Sequence, residues 1–389
     1  MITDATIRIE RLETVGEFER LAGEWTDLLA ASPSDCLFMT WEWLFTWWKH
    51  LSAGRRLSIL AVRSHGELVA LVPLASRPRR LEKVLSMGAL EFLGTGSVGS
   101  DYLDLIVRPG HATPAIQALA GSLAKAGAAV RLAQVLPDAP NATIFANELG
   151  RQHWSVRTAR TDVCPFIDLA GHTWDSYLDD LGPAHRYNFR RRTRNLERLG
   201  RVRFVRVDAE AERSAALREL VALHRMRWQP CGGSSAFDRP ALVDFHEELS
   251  ALALDRGWLR LFTLRLDDVA VAAVYGFRYR DTFYFYQSGF DPRLARASVG
   301  LIAVGLSIKA AVEEGAREYD FLHGNEAYKF HWARRTRAIG RLELYPPHVR
   351  GRLYRRAVET SRAARRTARR LLPVAVAQRL AVGLGSGGS

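Results

Sequence analysis

Cysteine and long apolar runs are scarce in this chain of 389 residues, and each scarcity excludes a class of protein. The three cysteines, Cys36, Cys164 and Cys231, lie far apart and form no CxxC pair, which argues against a disulfide framework and against a zinc site. Such sparse cysteine is typical of a reducing, cytosolic compartment. No apolar run approaches the roughly 18–20 residues that span a bilayer, and the acidic N-terminal segment lacks the apolar core of a signal peptide. We therefore expect a cytoplasmic protein that binds no metal.

Lysine is also scarce, although the chain is strongly basic. Lys and Arg together number 55 against 42 acidic residues, which gives a formal charge of +13. Only five of these basic residues are lysines, so Lys329 stands out as a compact, titratable ammonium in a sequence that otherwise uses arginine. A charge balance of this kind favours anionic partners, namely nucleic acid, a phosphate-rich cofactor or an anionic membrane surface.

The second half of the chain alternates between helical and strand periodicities. Turn residues separate three alternating apolar runs into a meander of hairpins, and a helix then leads into a short buried strand. That last connection is a β-α-β crossover, which requires a parallel pair within an otherwise antiparallel sheet. The pattern predicts strands at 202–208, 259–266, 269–279, 282–287, 317–322 and 339–345, and helices at 210–228, 240–254, 298–314 and 327–337.

The first half repeats nearly the same order of elements with little residue identity, which indicates an internal duplication. Strands are predicted at 7–11, 57–63, 68–73, 102–107, 130–136, 155–158 and 166–169, and helices at 15–30, 41–51, 114–126 and 141–149. We therefore predict an α/β (α+β) fold with domains at 1–165 and 166–346 and a basic helical tail at 347–389. The arginine-rich part of the tail would suit an anionic membrane surface.

The start of the helix predicted at 298–314 is a candidate phosphate site. The first turn of a helix exposes unpaired N–H groups and a partial positive charge. Gly300 would allow close approach of the backbone to a ligand, and two nearby arginines could add charge. The structural alternative is an ordinary Ser-capped helix beside exposed arginines. The residues assigned to this site are Arg293, Arg296, Ser298, Val299, Gly300 and Leu301.

The segment DFLHGNEAYKFHW, residues 320–332, crowds polar side chains around a glycine turn just after a predicted strand. Tyr328 could donate a proton to a thiolate or alkoxide leaving group. Lys329 could stabilise an oxyanion or bind phosphate, and Asp320 could orient an amine or accept its proton. The structural alternative is a tyrosine packed on Trp332 and a lysine that is solvated or paired with Glu326. The first half has no such segment at the matching position, which indicates one active and one degenerate half.

Other residues are assigned to the acceptor or to anionic ligands. A histidine, an arginine and a tryptophan end the helix predicted at 210–228, where a histidine is often only a partner of the helix dipole. The run at 185–194 joins aromatic to basic residues and could bind phosphates, or form a solvated basic helix. The glycine-containing segment 92–104 matches no phosphate-loop motif. The residues assigned to the acceptor are His224, Arg227, Trp228, His323, Asp101 and Tyr102.

Four pieces of the sequence resemble the CelD-like branch of the GNAT acyltransferases, which is related to the FemABX peptidyltransferases. These pieces are EWLFTWWKHL, LRLFTLRLDDVAVAAVYGF, YFYQSGFDPRLARASVGLI and DFLHGNEAYKFHW. The resemblance spans most of residues 5–346. It implies tandem GNAT-like domains, the first degenerate and the second holding the acyl donor. It also implies direct transfer from acyl-CoA to an amine or hydroxyl, with Tyr328 protonating the departing thiolate.

The same resemblance places the pyrophosphate loop at residues 296–301, where the sequence departs from the family pattern. Arg296 stands four residues before Gly300 rather than three, and Ile302 occupies a place where the family has a small residue. The neighbouring Tyr-Lys pair also resembles the FemABX relatives, in which a lysine at this place assists transfer from aminoacyl-tRNA.

The resemblance implies an acyl-CoA-dependent N- or O-acyltransferase that acts on a sugar, polysaccharide or cell-envelope precursor. Such an enzyme would work in the cytoplasm, with its basic tail able to hold it at the inner face of the membrane. One alternative is a FemABX-like aminoacyltransferase that uses charged tRNA, which the high positive charge favours. The other is a non-catalytic module of a polysaccharide or membrane assembly, which the altered phosphate loop and the basic tail favour.

Overall fold

The computed structural model describes residues 7–76, 88–96 and 98–371. The strands of the first half are β1 (Ile7–Leu12), β2 (Arg56–Leu57), β3 (Ile59–Ser64), β4 (Glu67–Val72), β5 (Leu74–Ser76), β6 (Ala89–Phe92), β7 (Ile106–Val107), β8 (Ala129–Val135) and β9 (Ser155–Asp168). Its helices are α1 (Val15–Arg20), α2 (Ala22–Ala31), α3 (Trp41–Leu51), α4 (Ala112–Ala126) and α5 (Pro140–Arg151). The helix predicted at 15–30 is therefore two helices, which meet at Leu21.

Between residues 202 and 326 the second half follows the predicted order of helices and strands, whereas the two helices between residues 174 and 197 were not part of that order. Its helices are α6 (Trp174–Leu181), α7 (Pro183–Glu197), α8 (Glu210–Trp228), α9 (Pro240–Asp255), α10 (Val299–Glu313), α11 (Ala327–Phe330) and α12 (Val349–Leu371). Its strands are β10 (Val202–Arg206), β11 (Leu259–Leu266), β12 (Val269–Tyr279), β13 (Thr282–Phe290), β14 (Glu318–Asp320) and β15 (Arg335–Tyr345).

One long mixed sheet joins the two halves. Its 11 strands lie in the order β10-β11-β12-β13-β14-β9-β15-β8-β6-β5-β2, and a second sheet has the order β1-β3-β4-β7. Each half contributes one parallel pair to the long sheet, β6 with β8 and β13 with β14, while the other pairs are antiparallel. The predicted crossover from β13 through α10 to β14 is confirmed by this pairing.

The two halves exchange their last strands. β9, which ends the first half, pairs with β14 of the second half, and β15, which ends the second half, pairs with β8 of the first. β9 and β15 then pair with each other in the middle of the sheet, from Phe166 opposite Arg335 to Ser155 opposite Tyr345. The strands predicted separately at 155–158 and 166–169 are thus one strand, and the predicted boundary between 165 and 166 falls inside it.

The prediction of a helix at 327–337 is wrong beyond Phe330. Arginine has good intrinsic helix propensity, so the run of arginines here favoured a helix. Instead, the segment that begins at Arg335 pairs with β9 and forms a strand. On that strand, the guanidinium carbon of Arg337 lies 4.1 Å from the centre of the Phe166 ring, and its Nη2 pairs with Glu318. Long-range strand pairing therefore overrides the local propensity.

The strand predicted at 102–107 is shorter than expected, since only Ile106–Val107 is a strand. The residues just before this strand bury polar side chains, among them Asp104. Tyr102 has a positive φ of 60°, and Asp104 accepts hydrogen bonds from the Ser34 hydroxyl at 2.9 Å and the Ala142 backbone N–H at 2.8 Å. These buried bonds replace the hydrogen bonds of a sheet ladder.

Aromatic packing closes the interface between the halves. Trp43 of α3 lies fully buried, with edge contacts to Phe245 and Phe277 of the second half. Its indole N–H donates to the Ser100 hydroxyl at 2.9 Å, and that hydroxyl donates to the Gly94 carbonyl at 2.8 Å. The segment 92–104 is thereby held against the second half.

The tail begins as a helix packed on the long sheet. Tyr354 of α12 lies beside Tyr345 of β15, and Arg362 pairs with the buried Glu343. The rest of the predicted tail, residues 372–389, lies outside the described residues. Among the helices that the structure describes, none is both long and apolar enough to cross a membrane.

Candidate active site

An apolar cavity of about 420 Å³ lies between the end of β13, the start of α10 and the residues that follow α11. We call it the apolar cavity. Its inner wall is built from buried side chains, among them Val299, Val304 and Trp332. Two cations, Arg192 and Arg227, also line it. Such a space suits an apolar group that carries an anionic end.

A second cavity of about 200 Å³ lies on the other side of Tyr328. We call it the polar cavity, because most of its lining carries hydrogen-bonding groups. Val98 and Gly99 of the first half form part of its wall, so both halves are needed to build it. The residues with hydrogen-bonding side chains in its lining are Arg227, Trp228, Ser234, Ser235, Tyr286, Gln287, Ser288, His323, Glu326, Tyr328 and Lys329.

Three residues line both cavities and therefore mark their junction: Arg227, Ser288 and Tyr328. The guanidinium of Arg227 donates to the Ser288 hydroxyl at 2.8 Å, and its central carbon lies 4.9 Å from the centre of the Tyr328 ring. The rings of Trp228 and Phe290 lie at 5.1 and 5.3 Å from the same carbon. Cation–π attraction in such a cage holds the guanidinium at the junction.

The Tyr328 phenol keeps its proton at neutral pH. Burial raises the pKa of Tyr328 to about 12, although the nearby Arg227 guanidinium opposes that rise. The phenol is therefore protonated at neutral pH, as a general acid must be. The ring makes edge contact with Phe285 at 6.3 Å. Tyr328 thus faces the junction of the cavities, as the catalytic prediction requires.

Lys329 holds a turn, and its amine makes contacts other than those predicted for a catalytic cation. It is buried, with Nζ donating to the His323 carbonyl at 2.6 Å and the Leu322 carbonyl at 3.3 Å and pairing with Glu326 at 2.9 Å. Those three contacts match the three donors of an ammonium. The turn contains Gly324 at a φ of 118°, which favours glycine. The pair with Glu326 is the contact that the structural alternative predicts for this lysine.

Asp320 lines neither cavity, which corrects its predicted role beside an amine. It is fully buried and accepts from the Tyr102 hydroxyl at 2.7 Å and the Leu322 backbone N–H at 2.7 Å. Burial raises the pKa of Asp320 to about 7, and Arg337 opposes that rise. Tyr102 is occupied by the same bond, and it too lines neither cavity. Together they fasten the segment 92–104 to β14.

His224 is likewise structural, because both of its ring nitrogens are satisfied inside the protein. Nδ1 lies 3.0 Å from the Ser288 carbonyl and Nε2 lies 3.0 Å from the Ser234 hydroxyl. Burial lowers the pKa of His224 to about 4, so the ring is neutral. Of the other residues assigned to the acceptor, Arg227, Trp228 and His323 line the polar cavity, and Asp101 lies directly behind His323.

The predicted phosphate loop is only partly in place. Four of its assigned residues, Ser298, Val299, Gly300 and Leu301, line the apolar cavity at the start of α10. The two assigned arginines do not line it: Arg293 is exposed and paired with Asp291, and Arg296 is exposed. In this structure neither arginine adds its charge to the cavity wall at the first turn of α10.

Gly300 serves packing at this place. A Cβ atom on it would meet a ring carbon of Phe290 at 2.8 Å, so the ring itself excludes a side chain. The cations of the apolar cavity are instead Arg192 and Arg227. Arg192 was missed as a site residue, and its only sequence signal was its place in the basic run at 185–194. Among the described ranges, no group of His, Cys, Asp or Glu is arranged to hold a metal.

The comparison with protein families matches a part of the chain that supplies most of the residues lining the two cavities. Residues 183–330 are similar to the family described as acetyltransferase (GNAT) domain. No protein with a curated description matches the chain. The predicted mixed α/β fold with a mostly antiparallel sheet is confirmed, and the family match lies within the second half.

Solved structures with the same fold cover nearly the whole chain. FemX aligns with a TM-score of 0.57 at 14% identity, over 86% of this chain and 96% of that one. The C-terminal domain of a putative lysylphosphatidylglycerol synthetase from Agrobacterium fabrum aligns at 0.52 and 12%, over 85% and 92%. L-PGS from Bacillus licheniformis aligns at 0.50 and 11%, over 88% and 95%. At these identities the likeness concerns the fold alone.

Proposed function

We propose that this chain is an acyltransferase that moves an acyl group directly from acyl-CoA in the apolar cavity to an acceptor in the polar cavity. The observation that carries the proposal is the position of Tyr328 and Arg227, which line both cavities at once. Direct transfer needs donor and acceptor to meet at one point, with an acid and a cation beside the reacting carbonyl.

The apolar cavity suits the donor. Its buried wall would take the acyl and pantetheine parts of an acyl-CoA, and the first turn of α10 offers unpaired N–H groups to its phosphates. Arg192 supplies charge in place of the two arginines that point away. The residues present therefore fit a thioester donor, although the phosphate contacts differ from those predicted.

Arg227 and Tyr328 would act on opposite ends of the reacting thioester. The Arg227 guanidinium would stabilise the negative charge that develops on the carbonyl oxygen during attack. The Tyr328 hydroxyl would give its proton to the departing sulfur, which leaves as a thiol. Lys329 would contribute by holding the turn that carries Tyr328 and His323.

The polar cavity suits the acceptor. Hydroxyl, amide and imidazole groups line it beside the Trp228 ring, a surface that fits a polar molecule such as a sugar. The CelD-like resemblance favours a polysaccharide or cell-envelope precursor as the acceptor, with N- or O-acylation as the outcome. The basic tail would let the protein work in the cytoplasm at the inner face of a membrane.

Calorimetric titration with CoA, acetyl-CoA and a long-chain acyl-CoA tests the donor. We expect micromolar binding, about −8 kcal/mol. Ala295→Trp should abolish binding, because Ala295 is exposed yet lines the apolar cavity. The matched control is Ala222→Trp, at an exposed position of α8 that lines neither cavity. Absence of binding to every thioester would overturn the proposal and leave the aminoacyl-tRNA donor and the non-catalytic module as the alternatives.

One observation favours a second candidate, the FemABX-like use of aminoacyl-tRNA. α7 carries the basic run, and its Arg192 lines the apolar cavity. On the same helix, Tyr187 is 61% exposed with the Arg191 guanidinium 6.0 Å from its ring. Exposed rings among arginines are typical of surfaces that bind single-stranded nucleic acid. Binding of charged tRNA that weakens steeply with salt, together with no binding of acyl-CoA, would select this candidate.

A further inference from the structure

We propose that His323, oriented by Asp101 of the first half, is the general base that takes the proton of the acceptor in the polar cavity. The inference deepens the proposed function and rests on it. Transfer to a hydroxyl or an amine requires a group that accepts the proton of the attacking atom. Tyr328 cannot be that group, because its phenol is the proton donor for the leaving sulfur.

Asp101 fixes the imidazole from behind. It is fully buried, and its two carboxylate oxygens lie 2.8 and 2.9 Å from Nδ1 of His323. It also accepts from the backbone N–H of His323 at 2.9 Å and from the side-chain amide of Gln134 at 3.0 Å. The backbone N–H of His323 and the Gln134 amide therefore hold the carboxylate in position, and the carboxylate in turn holds the ring.

This arrangement leaves the other ring nitrogen ready for chemistry. Because Nδ1–H is donated to Asp101, the neutral ring carries its lone pair on Nε2. The side chain of His323 is 37% exposed and lines the polar cavity. Within the part of the chain that the structure describes, Nε2 has no hydrogen-bond partner. An acceptor in the cavity could provide one.

The first half supplies the other parts of this arrangement. Gly99 lies against the ring, so that a Cβ there would stand 3.2 Å from Cε1 of His323. The Val98 carbonyl accepts a hydrogen bond from the Tyr286 hydroxyl, which anchors the segment to β13. The half that lacks a catalytic segment of its own therefore completes the site of the other half.

The charges around His323 favour a base of more than ordinary strength. Burial alone would lower the pKa of His323, but the hydrogen bond and charge of Asp101 outweigh it, so the pKa is raised. Lys329 opposes this rise and Asp162 supports it. Glu326 also faces the ring and is itself neutralised by Lys329. The ring thus titrates above its usual value of about 6.5 and is a good acceptor near neutral pH.

His323 and Tyr328 together account for every proton that moves during acyl transfer. The acceptor oxygen or nitrogen attacks the thioester carbon, a bond forms between them, and Nε2 of His323 takes the acceptor proton. The carbon–sulfur bond then breaks, and sulfur takes the proton of Tyr328. The proton on His323 returns to the Tyr328 phenolate through solvent, so the products are the acylated acceptor and free thiol.

The cavity also limits the class of acceptor. At about 200 Å³ it is smaller than the roughly 300–1,000 Å³ of pockets that bury a drug-sized ligand. Only one small polar end of an acceptor can enter, and it must bring a neutral hydroxyl or amine to Nε2. An acceptor of the sugar type meets both conditions.

Acetyl-CoA hydrolysis tests the base, because water can replace the unidentified acceptor. We expect His323→Gln to lower thiol release by about 10²–10⁴-fold while calorimetric binding of acetyl-CoA stays unchanged. Asp101→Asn should move the acidic midpoint of the rate profile to lower pH. The matched control is His172→Gln, a histidine that also faces a carboxylate, Asp180, at 3.5 Å but lines neither cavity. Equal rates in wild type and His323→Gln would overturn the inference.

Carbethoxylation with diethyl pyrocarbonate separates this inference from the proposed function, since it needs no thioester. The reagent modifies a neutral imidazole with a free nitrogen, and peptide mass spectrometry reports each histidine. We expect modification at His323 with a midpoint above pH 6.5, moved downward in Asp101→Asn. An unmodified His323, or an unmoved midpoint, would overturn the inference. Absence of thioester binding alongside the expected modification would instead overturn the acyl-CoA function.

Discussion

Tyr102 of the first half and Asp320 of the second share a buried hydrogen bond of 2.7 Å. The carboxyl is fully buried at the end of β14, and the phenol belongs to the segment that also carries Asp101. The bond therefore fixes Tyr102, the residue that follows Asp101 in the chain, and Asp101 contacts the proposed base His323. It also makes the stability of this interface depend on the protonation of Asp320.

Replacing Asp320 by asparagine should remove a pH-dependent part of the stability. Burial raises the pKa of Asp320 from 3.8 to about 7, so the folded state binds a proton that the unfolded state has lost. This contribution to the free energy of unfolding is fully present below about pH 4 and is lost as the pH rises through about 7. The total loss is about 4 kcal/mol at most. Urea unfolding at several pH values should show that the free energy of unfolding of the wild type falls relative to that of Asp320→Asn across this range.

The matched control for that experiment is Asp268→Asn. Asp268 is exposed and lies beside Arg201 and Arg203, which lower its pKa. Its contribution should therefore stay constant over the same pH range. If the stability difference between wild type and Asp320→Asn is also constant, the raised pKa of the buried carboxyl is contradicted.

Replacing Lys329 by methionine should destabilise the fold. The change leaves the carbonyls of Leu322 and His323 and the carboxylate of Glu326 without their donor. An unsatisfied buried group costs about 1–3 kcal/mol, which urea unfolding can measure. Lys309→Met is the control, because Lys309 forms an exposed pair with Glu313 at 3.6 Å that is worth little. Unchanged stability with lost turnover would restore the catalytic role predicted from the sequence.

Tyr328→Phe should slow acyl transfer by about 10²–10⁴-fold without weakening the donor. The ring would still fill its place at the junction of the cavities, so calorimetry should give the same dissociation constant for acetyl-CoA. Because its pKa is about 12, the phenol stays protonated well above neutral pH, and the wild-type rate should not fall over that range through loss of this proton. Tyr345→Phe, which removes a hydroxyl bonded to Glu343 far from both cavities, should retain its turnover. A full rate in Tyr328→Phe would remove the phenol from the mechanism.

The elements of the second half were predictable because their signals are local. α8, β11 and β12 begin and end where the apolar periods and turn residues predict. Tyr328 could be proposed in the same way, since a glycine turn after a strand is visible in a short segment. Each of these predictions uses residues close together in sequence.

The proposed acceptor site could not be assembled by such reasoning. Asp101 and His323 are 222 residues apart, and no local sequence pattern indicates that a carboxylate of the first half reaches an imidazole of the second. The contacts of Lys329 were equally unpredictable. Its ammonium donates to the Leu322 and His323 carbonyls, and the direction of these carbonyls depends on the turn at Gly324. The sequence named Asp101 and His323 separately, but only the fold joins them into one functional pair.

The exchange of β9 and β15 predicts that neither half folds by itself. Residues 1–170 alone would leave β8 without β15, and residues 171–389 alone would leave β14 without β9, so both would expose long unpaired edges. Each fragment expressed separately should aggregate or unfold without cooperativity. The two fragments expressed together should form a one-to-one complex that unfolds near the midpoint of the intact chain. Cleavage of the intact chain at a protease site inserted at Gly171, in the turn after β9, provides the control and should leave the assembly intact. A cooperative, monomeric unfolding transition in either isolated fragment would show that the halves are independent domains and that the exchanged strands are dispensable.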